Sequence, residues 1–142
     1  MLSKTSEYAL QAVLYLARHS PDASLPASDV AAGLDIPANY LSKILHTLSR
    51  AGVVRSERGP GGGYRLARPA ERTSLADVVE AFDPIAPREH CLLGTGRCHD
   101  DHPCAAHERW REVFDPVTAF FRDTMVAELL RPSGEVAEPA TA

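Results

Sequence analysis

Apolar residues recur three and four apart in three stretches of this chain, and two short runs of alternating character lie between the second and third. In the first stretch Ala9, Leu10, Val13, Leu14, Leu16 and Ala17 turn to one side, which predicts a helix from about Ser3 to Arg18. The loop HSPDASLP, with its two prolines, ends that helix. Ser28 then reads as the N-cap of a short helix over ASDVAAG that stops at Gly33. Pro37 opens the next helix at its first position, and Gly52 closes it beyond its last turn. Within PANYLSKILHTLSRAG, Leu41, Ile44, Leu45 and Leu48 share one face and must point inward. Asn39, Tyr40, Lys43, His46, Thr47 and Arg50 are left pointing out.

The runs VVRSE and YRLAR flank a turn with Pro60 and four glycines, and together they predict a β-hairpin with a side-chain-poor tip. Thr73 or Ser74 caps a helix over SLADVVEAFD, which Pro84 and Pro87 end. After a cysteine-rich segment, Trp110, Val113, Phe114, Val117, Phe120, Phe121 and Met125 mark a long amphipathic helix. Pro116 should kink that helix, or restart it with Asp115 as cap. The aromatic stripe reads as an oligomer interface rather than as core. The tail PSGEVAEPATA is expected to be disordered.

Two helices joined by a tight turn and followed by a hairpin describe a winged helix-turn-helix. In such a motif the first residues of the second helix read base edges in the major groove. Those residues here are polar or cationic. Arg58 at the hairpin tip fits a minor groove, and Gly61 and Gly62 allow close approach of backbone to backbone. A nucleotide-cradling loop would need a helix directly after Gly63, and none is predicted.

Net charge is −4 over 142 residues, which at first argues against a polyanionic partner. The charge is unevenly distributed. Residues 1–72 hold nine Lys or Arg against six Asp or Glu, whereas 73–142 hold six against thirteen. Within 43–72 the balance is seven to two, a basic patch on an acidic protein and the asymmetry expected of a phosphate-binding face.

No apolar run approaches the roughly 20 residues that span a bilayer. YALQAVLYLA could pass for the apolar part of a signal peptide, but it lacks a basic start and follows Glu7. A cytoplasmic, non-membrane protein is expected, and in that compartment three cysteines do not form a structural disulfide.

All three cysteines and four of the six histidines fall between His90 and His107. Six residues separate Cys91 from Cys98, five separate Cys98 from Cys104, and two separate Cys104 from His107. Structural zinc sites more often contain a close cysteine pair, although three thiolates and one imidazole do suit zinc. Iron–sulfur clusters are spanned by longer loops, and histidine can replace one or two of their thiolates. A catalytic thiol needs a base in a cleft, and a clusterless thiol sensor needs only the cysteines. These readings stay open on the residues alone.

MLSKTSEYALQAVLYLA, ANYLSKILHTLSRAGVV and above all RGPGGGYRLAR resemble the IscR/NsrR/CymR group of bacterial regulators, the Rrf-two superfamily, over about residues 1–130. The resemblance implies a mainly α fold with a small β-hairpin. It divides the chain into a winged helix-turn-helix over 1–83, a cysteine-rich cluster loop over 84–106, a dimerisation helix over 107–131 and a tail over 132–142. It further implies a homodimeric repressor, not an enzyme, on a near-palindromic double-stranded operator, touched by Asn39, Tyr40, Ser42, Lys43, Thr47, Arg50, Arg58, Gly61 and Gly62. Ser42 stands where IscR carries a glutamate, so the operator sequence does not transfer.

The ending Cys…Cys…Cys-x-x-His is similar to the IscR branch, which implies a 2Fe–2S cluster on Cys91, Cys98, Cys104 and His107. The first spacer is one residue longer than in the usual IscR pattern. Relatives like NsrR vary there and hold a 4Fe–4S cluster, in some cases with an acidic residue from the partner subunit's first helix. Glu7 occupies the corresponding place and is the alternative fourth ligand, whereas His90, His99 and His102 read as solvated loop residues.

Overall fold

The inward faces of the first, third and fourth helices meet in one core, because each buries an apolar stripe too narrow to shield itself. The structure, a computed structural model, describes residues 2–85, 92–93 and 101–132. Its elements are α1 (Lys4–His19), α2 (Ala27–Leu34), α3 (Ala38–Arg50), β1 (Val54–Glu57), β2 (Gly63–Leu66), α4 (Leu75–Val79) and α5 (His107–Asp123). Short 3-10 turns occupy Ala70–Arg72 and Val126–Leu130. No described helix is long and apolar enough to cross a membrane.

α1 begins where its cap dictates. The Ser3 hydroxyl accepts from the Ser6 amide at 3.2 Å, satisfying one of the amides that a helix start leaves unpaired. α2 departs from expectation at both ends. It starts at Ala27 after Pro26, with no side-chain cap, so Ser28 lies inside its first turn. It also runs past Gly33, and the left-handed cap falls on Asp35, at φ 53°. Gly33 serves a different purpose, since it leaves room for the Tyr15 ring, which a Cβ there would displace. In α3 the proline is the cap residue itself, one position earlier than the sequence implied.

Leu16, Leu41, Leu45, Leu48, Val78 and Val79 are completely buried, so α1, α3 and α4 interlock. α4 is shorter than its apolar pattern, ending at Val79 and continuing as turns to Asp83. Ser74 starts it with a reciprocal capping box to Asp77. Pro84 keeps the preceding residue out of helical geometry.

The hairpin pairs Val54 with Leu66, Arg55 with Arg65, Ser56 with Tyr64 and Glu57 with Gly63. Leu25, from the loop between α1 and α2, adds a third chain segment beside β2 through mutual backbone bonds with Tyr64 of 2.7 and 2.9 Å. This pairing passes so close to Gly63, at φ 144°, that a Cβ there would strike the Leu25 backbone.

α5 runs unbroken through Pro116 rather than restarting there. The carbonyl that the proline leaves unpaired belongs to Glu112, and both residues are exposed, so water can satisfy it. Within the protein the aromatic stripe is divided between two environments. Thr118 and Phe121 are buried, with the Thr118 hydroxyl donating to the Ile85 carbonyl at 2.8 Å. Beyond α5, backbone bonds of 2.9 Å (Leu75 to Thr124) and 2.8 Å (Val126 to Thr73) tie the chain back to the start of α4. Val113 and Phe120 face outward, 57% and 54% exposed. Cys91 and Cys98, with His90 and His99, lie outside the described residues, as does the tail from residue 133.

Candidate functional site

α3 presents one continuous polar face. Asn39, Ser42, Lys43, His46 and Arg50 are exposed, opposite the buried Leu41, Ile44, Leu45 and Leu48. Two members of the expected set are held within the protein. Tyr40 is half-buried, its hydroxyl bonded to that of Thr5 and its ring edge-on to Tyr8 at 5.7 Å. Thr47 donates its hydroxyl back to the Lys43 carbonyl at 3.1 Å. The face therefore offers one amide, one hydroxyl, one imidazole and two cations to a partner, and Tyr40 holds it against α1.

Arg58 is exposed at the turn between the strands, beside Gly61 (φ 75°) and the half-buried Gly62. A Cβ on Gly62 would collide with the Glu57 and Gly59 carbonyls, so the tip cannot be broadened by a side chain there.

Below the tip is a brace that sequence reasoning missed. Arg55 and Arg65 stand directly opposite in the register, an unfavourable pairing for like charges. The Glu57 carboxylate lies between them, 3.6 Å from Arg55 and 3.7 Å from Arg65, and accepts the Ser24 hydroxyl at 2.7 Å. The Ser24 hydroxyl, with Arg65 and Arg55 beside it, holds the Glu57 carboxyl below the usual carboxylate range. A lowered folded-state pKa means that the brace is intact at neutral pH and is lost only as pH falls below the ordinary glutamate value of 4.5. The alternation of basic residues in VRSER hinted at this face, but nothing in the sequence placed Ser24 there.

Replacing Glu57 by Gln should free the two guanidinium groups for phosphate. DNA affinity should then rise at low salt, and the slope of log K against log salt should steepen by about 0.9 per phosphate gained. A salt titration checks this, and an unchanged slope would place the outer wing face out of reach of DNA.

Of the expected metal ligands, Cys104 and His107 are described, and both are half-buried. They share the turn that starts α5, with the His107 amide bonded to the Cys104 carbonyl at 3.0 Å. Glu7 is exposed on α1 and ion-paired with Lys4 at 3.3 Å. Among the described residues no group of three His, Cys, Asp or Glu side chains is gathered for a metal, and two of the expected ligands lie outside them.

A buried-face helix pair, a polar presenting helix and a two-stranded wing define a winged helix-turn-helix protein. A family model described as Rrf2, iron-dependent transcriptional regulator, matches residues 2–132, and the chain belongs to this family of DNA-binding transcriptional regulators. Its sequence is 34% identical to the HTH-type transcriptional regulator IscR of Vibrio vulnificus over 129 residues, 91% of this chain and 76% of that protein. By fold it is similar to CymR of B. subtilis, named a global cysteine regulator, with a TM-score of 0.76 at 24% identity over 92% of this chain and 95% of that one. It is likewise similar to T. potens IscR, with a TM-score of 0.75 at 22% identity over 98% and 92%. Its relatives are regulators, so the enzyme readings of the thiols fall away.

Proposed function

We propose that this regulator senses redox, nitric oxide or iron status through an iron–sulfur cluster, and represses a near-palindromic operator as a homodimer. The observation that carries the cluster reading is the pairing of Cys104 and His107 on one helical turn, both half-buried at the start of α5. The donor set fits the group: three thiolates and one imidazole suit a 2Fe–2S cluster better than a single hard cation. Cys91, Cys98 and Cys104 would hold the iron, with His107 as fourth ligand. Glu7 remains the rival fourth ligand, and with it 4Fe–4S the rival cluster. His107 is preferred because Cys104 already fixes its position. When bound, such a cluster would supply a reversible electron-accepting centre whose iron and sulfide react with small oxidants and nitric oxide.

The chain's own residues do the rest. Asn39, Ser42 and Lys43 lead α3 into the major groove, Thr47 and Arg50 follow behind Tyr40, and Arg58 on the Gly61–Gly62 turn enters the minor groove. Val113 and Phe120, each more than half exposed on α5, supply the apolar face on which a second copy docks. The cysteine segment precedes α5 in the chain, so its conformation sets the spacing of the two α3 helices on half-sites about one DNA turn apart.

Purification without oxygen, followed by a visible spectrum and iron and acid-labile sulfide assays, tests the reading. The expected result is a coloured protein with two iron and two sulfide per chain. A colourless protein with stoichiometric zinc and no sulfide, even after anaerobic reconstitution, overturns it.

A further inference from the structure

The residue that closes the turns after α4, just before the cysteine segment, is fastened to the first turn of α1. A single oxygen of Asp83, Oδ2, accepts from the Ser3 amide at 2.9 Å, the Ser3 hydroxyl at 2.8 Å and the Ser6 hydroxyl at 2.6 Å. Ser6 is completely buried, so its hydroxyl would lose a partner that water cannot readily replace. Ser3 is at the same time the N-cap of α1. The Asp83 charge therefore lies at the positive end of a 16-residue helix, where an anion is favoured. Two residues later the Ile85 carbonyl takes the Thr118 hydroxyl of α5. Residues 83–85 are thus the point where α1, α5 and the start of the cysteine segment are joined.

The same turn of α1 holds the recognition helix. Thr5 shares its hydrogen bond with Tyr40, Tyr8 meets the Tyr40 ring edge-on at an interplanar angle of 80°, and Lys4 lies 5.2 Å from the Tyr8 ring centre. Asp83 grips residues 3 and 6 of this turn, and Tyr40 rests on residues 5 and 8. A shift of α1 about its N-terminus would act on both contacts that hold Tyr40 of α3.

We propose that Asp83 is a positioning residue that carries the conformation of the segment after it, through Ser3 and Ser6, to Tyr40 and so to the angle of the DNA-reading helix. This deepens the reading of the cysteine segment as the part that receives the signal and rests on it. Coupling of this kind requires an element with two discrete arrangements. The three-donor clamp on one oxygen supplies one of them, and its release supplies the other.

The test uses the full chain and an operator duplex selected from random-sequence DNA by the wild-type protein. Affinity is measured with the protein anaerobically reconstituted and again after its cysteines are alkylated with iodoacetamide. If reconstitution leaves the protein colourless, its reduced thiol form takes the first place. The wild-type ratio of affinities is expected to be about 10-fold or more, within the usual range of allosteric coupling. Asp83→Asn should bring that ratio close to one while leaving the visible spectrum unchanged, and should speed amide exchange in residues 4–8 and 38–43. Ser6→Ala removes one of the three bonds at lower folding cost and should reduce the ratio in the same direction if Asp83→Asn does not fold. A wild-type ratio of one, or variants that keep the wild-type ratio, would overturn the role of Asp83. The wild-type visible spectrum judges the cluster separately.

Discussion

Leu45→Ala is expected to destabilise the protein by about 3 kcal/mol and to lower Tm by roughly 10 °C. Leu45 is completely buried on the inner face of α3, within the cluster that also contains Leu16, Leu41 and Leu48. Truncation removes its buried methyl groups and leaves a cavity that the surrounding helices can close only in part. Because the opposite face of the same helix carries Asn39, Lys43 and Arg50, collapse into that cavity would also tilt the face proposed to read DNA. Operator affinity should therefore fall further than the fraction unfolded predicts. Asn39→Ala is the control: it lies on the exposed face and should leave Tm nearly unchanged, since surface substitutions fall within about 0.5 kcal/mol. Thermal melts followed by circular dichroism, with binding measured well below Tm, check both parts. An unchanged Tm for Leu45→Ala would mean that α3 is not seated on the core as described.

Cys104→Ala is expected to abolish visible absorption and to reduce bound iron and sulfide to background, while Tm of the metal-free protein changes little. The side chain is half-buried at the start of α5, outside the central core, so its loss opens no large cavity. Its proposed contribution is as a thiolate donor. With only two cysteines left, the cluster would need solvent or a weaker oxygen ligand, and iron–sulfur clusters depend on thiolates for retention. His107 shares its turn and would remain in place, so the loss can be traced to the sulfur. Anaerobic reconstitution of both proteins side by side, read by spectrum and iron assay, decides the matter. A Cys104→Ala protein with the full wild-type spectrum would remove Cys104 from the ligand set.

Much of the fold could be read along the chain because the signals were local. The i, i+3, i+4 spacing of Leu41, Ile44, Leu45 and Leu48 identified both the helix and its inner face, and these four residues are buried. Gly52, at φ 78°, ends α3 where a left-handed residue was expected. The alternation around RGPGGG gave the hairpin. Local chemistry misled at Ser28 and Gly33, where a serviceable cap and stop exist in the sequence and tertiary packing used neither. Pro26 and Asp35 bound α2 instead, and Gly33 makes room for Tyr15. The stripe on α5 was visible, but its division between core and exposed face was not. Periodicity gives the direction of a side chain without saying what lies opposite it.

The parts of the site that depend on distant residues were hidden for the same reason. Ser24 meets Glu57 across 33 positions, Thr5 meets Tyr40 across 35, and Ser3 and Ser6 meet Asp83 across 80 and 77. Each residue alone is an ordinary polar side chain with no spacing to mark it. By itself, the sequence determined the helices, the hairpin, the basic segment and the clustering of thiols and imidazoles, because propensity, patterning and charge are properties of neighbouring residues. Only the tertiary structure decided how the wing is braced, which face of α5 is exposed, and how Asp83 is tied to the first turn of α1. Those depend on contacts between parts of the chain that only folding brings within hydrogen-bonding distance.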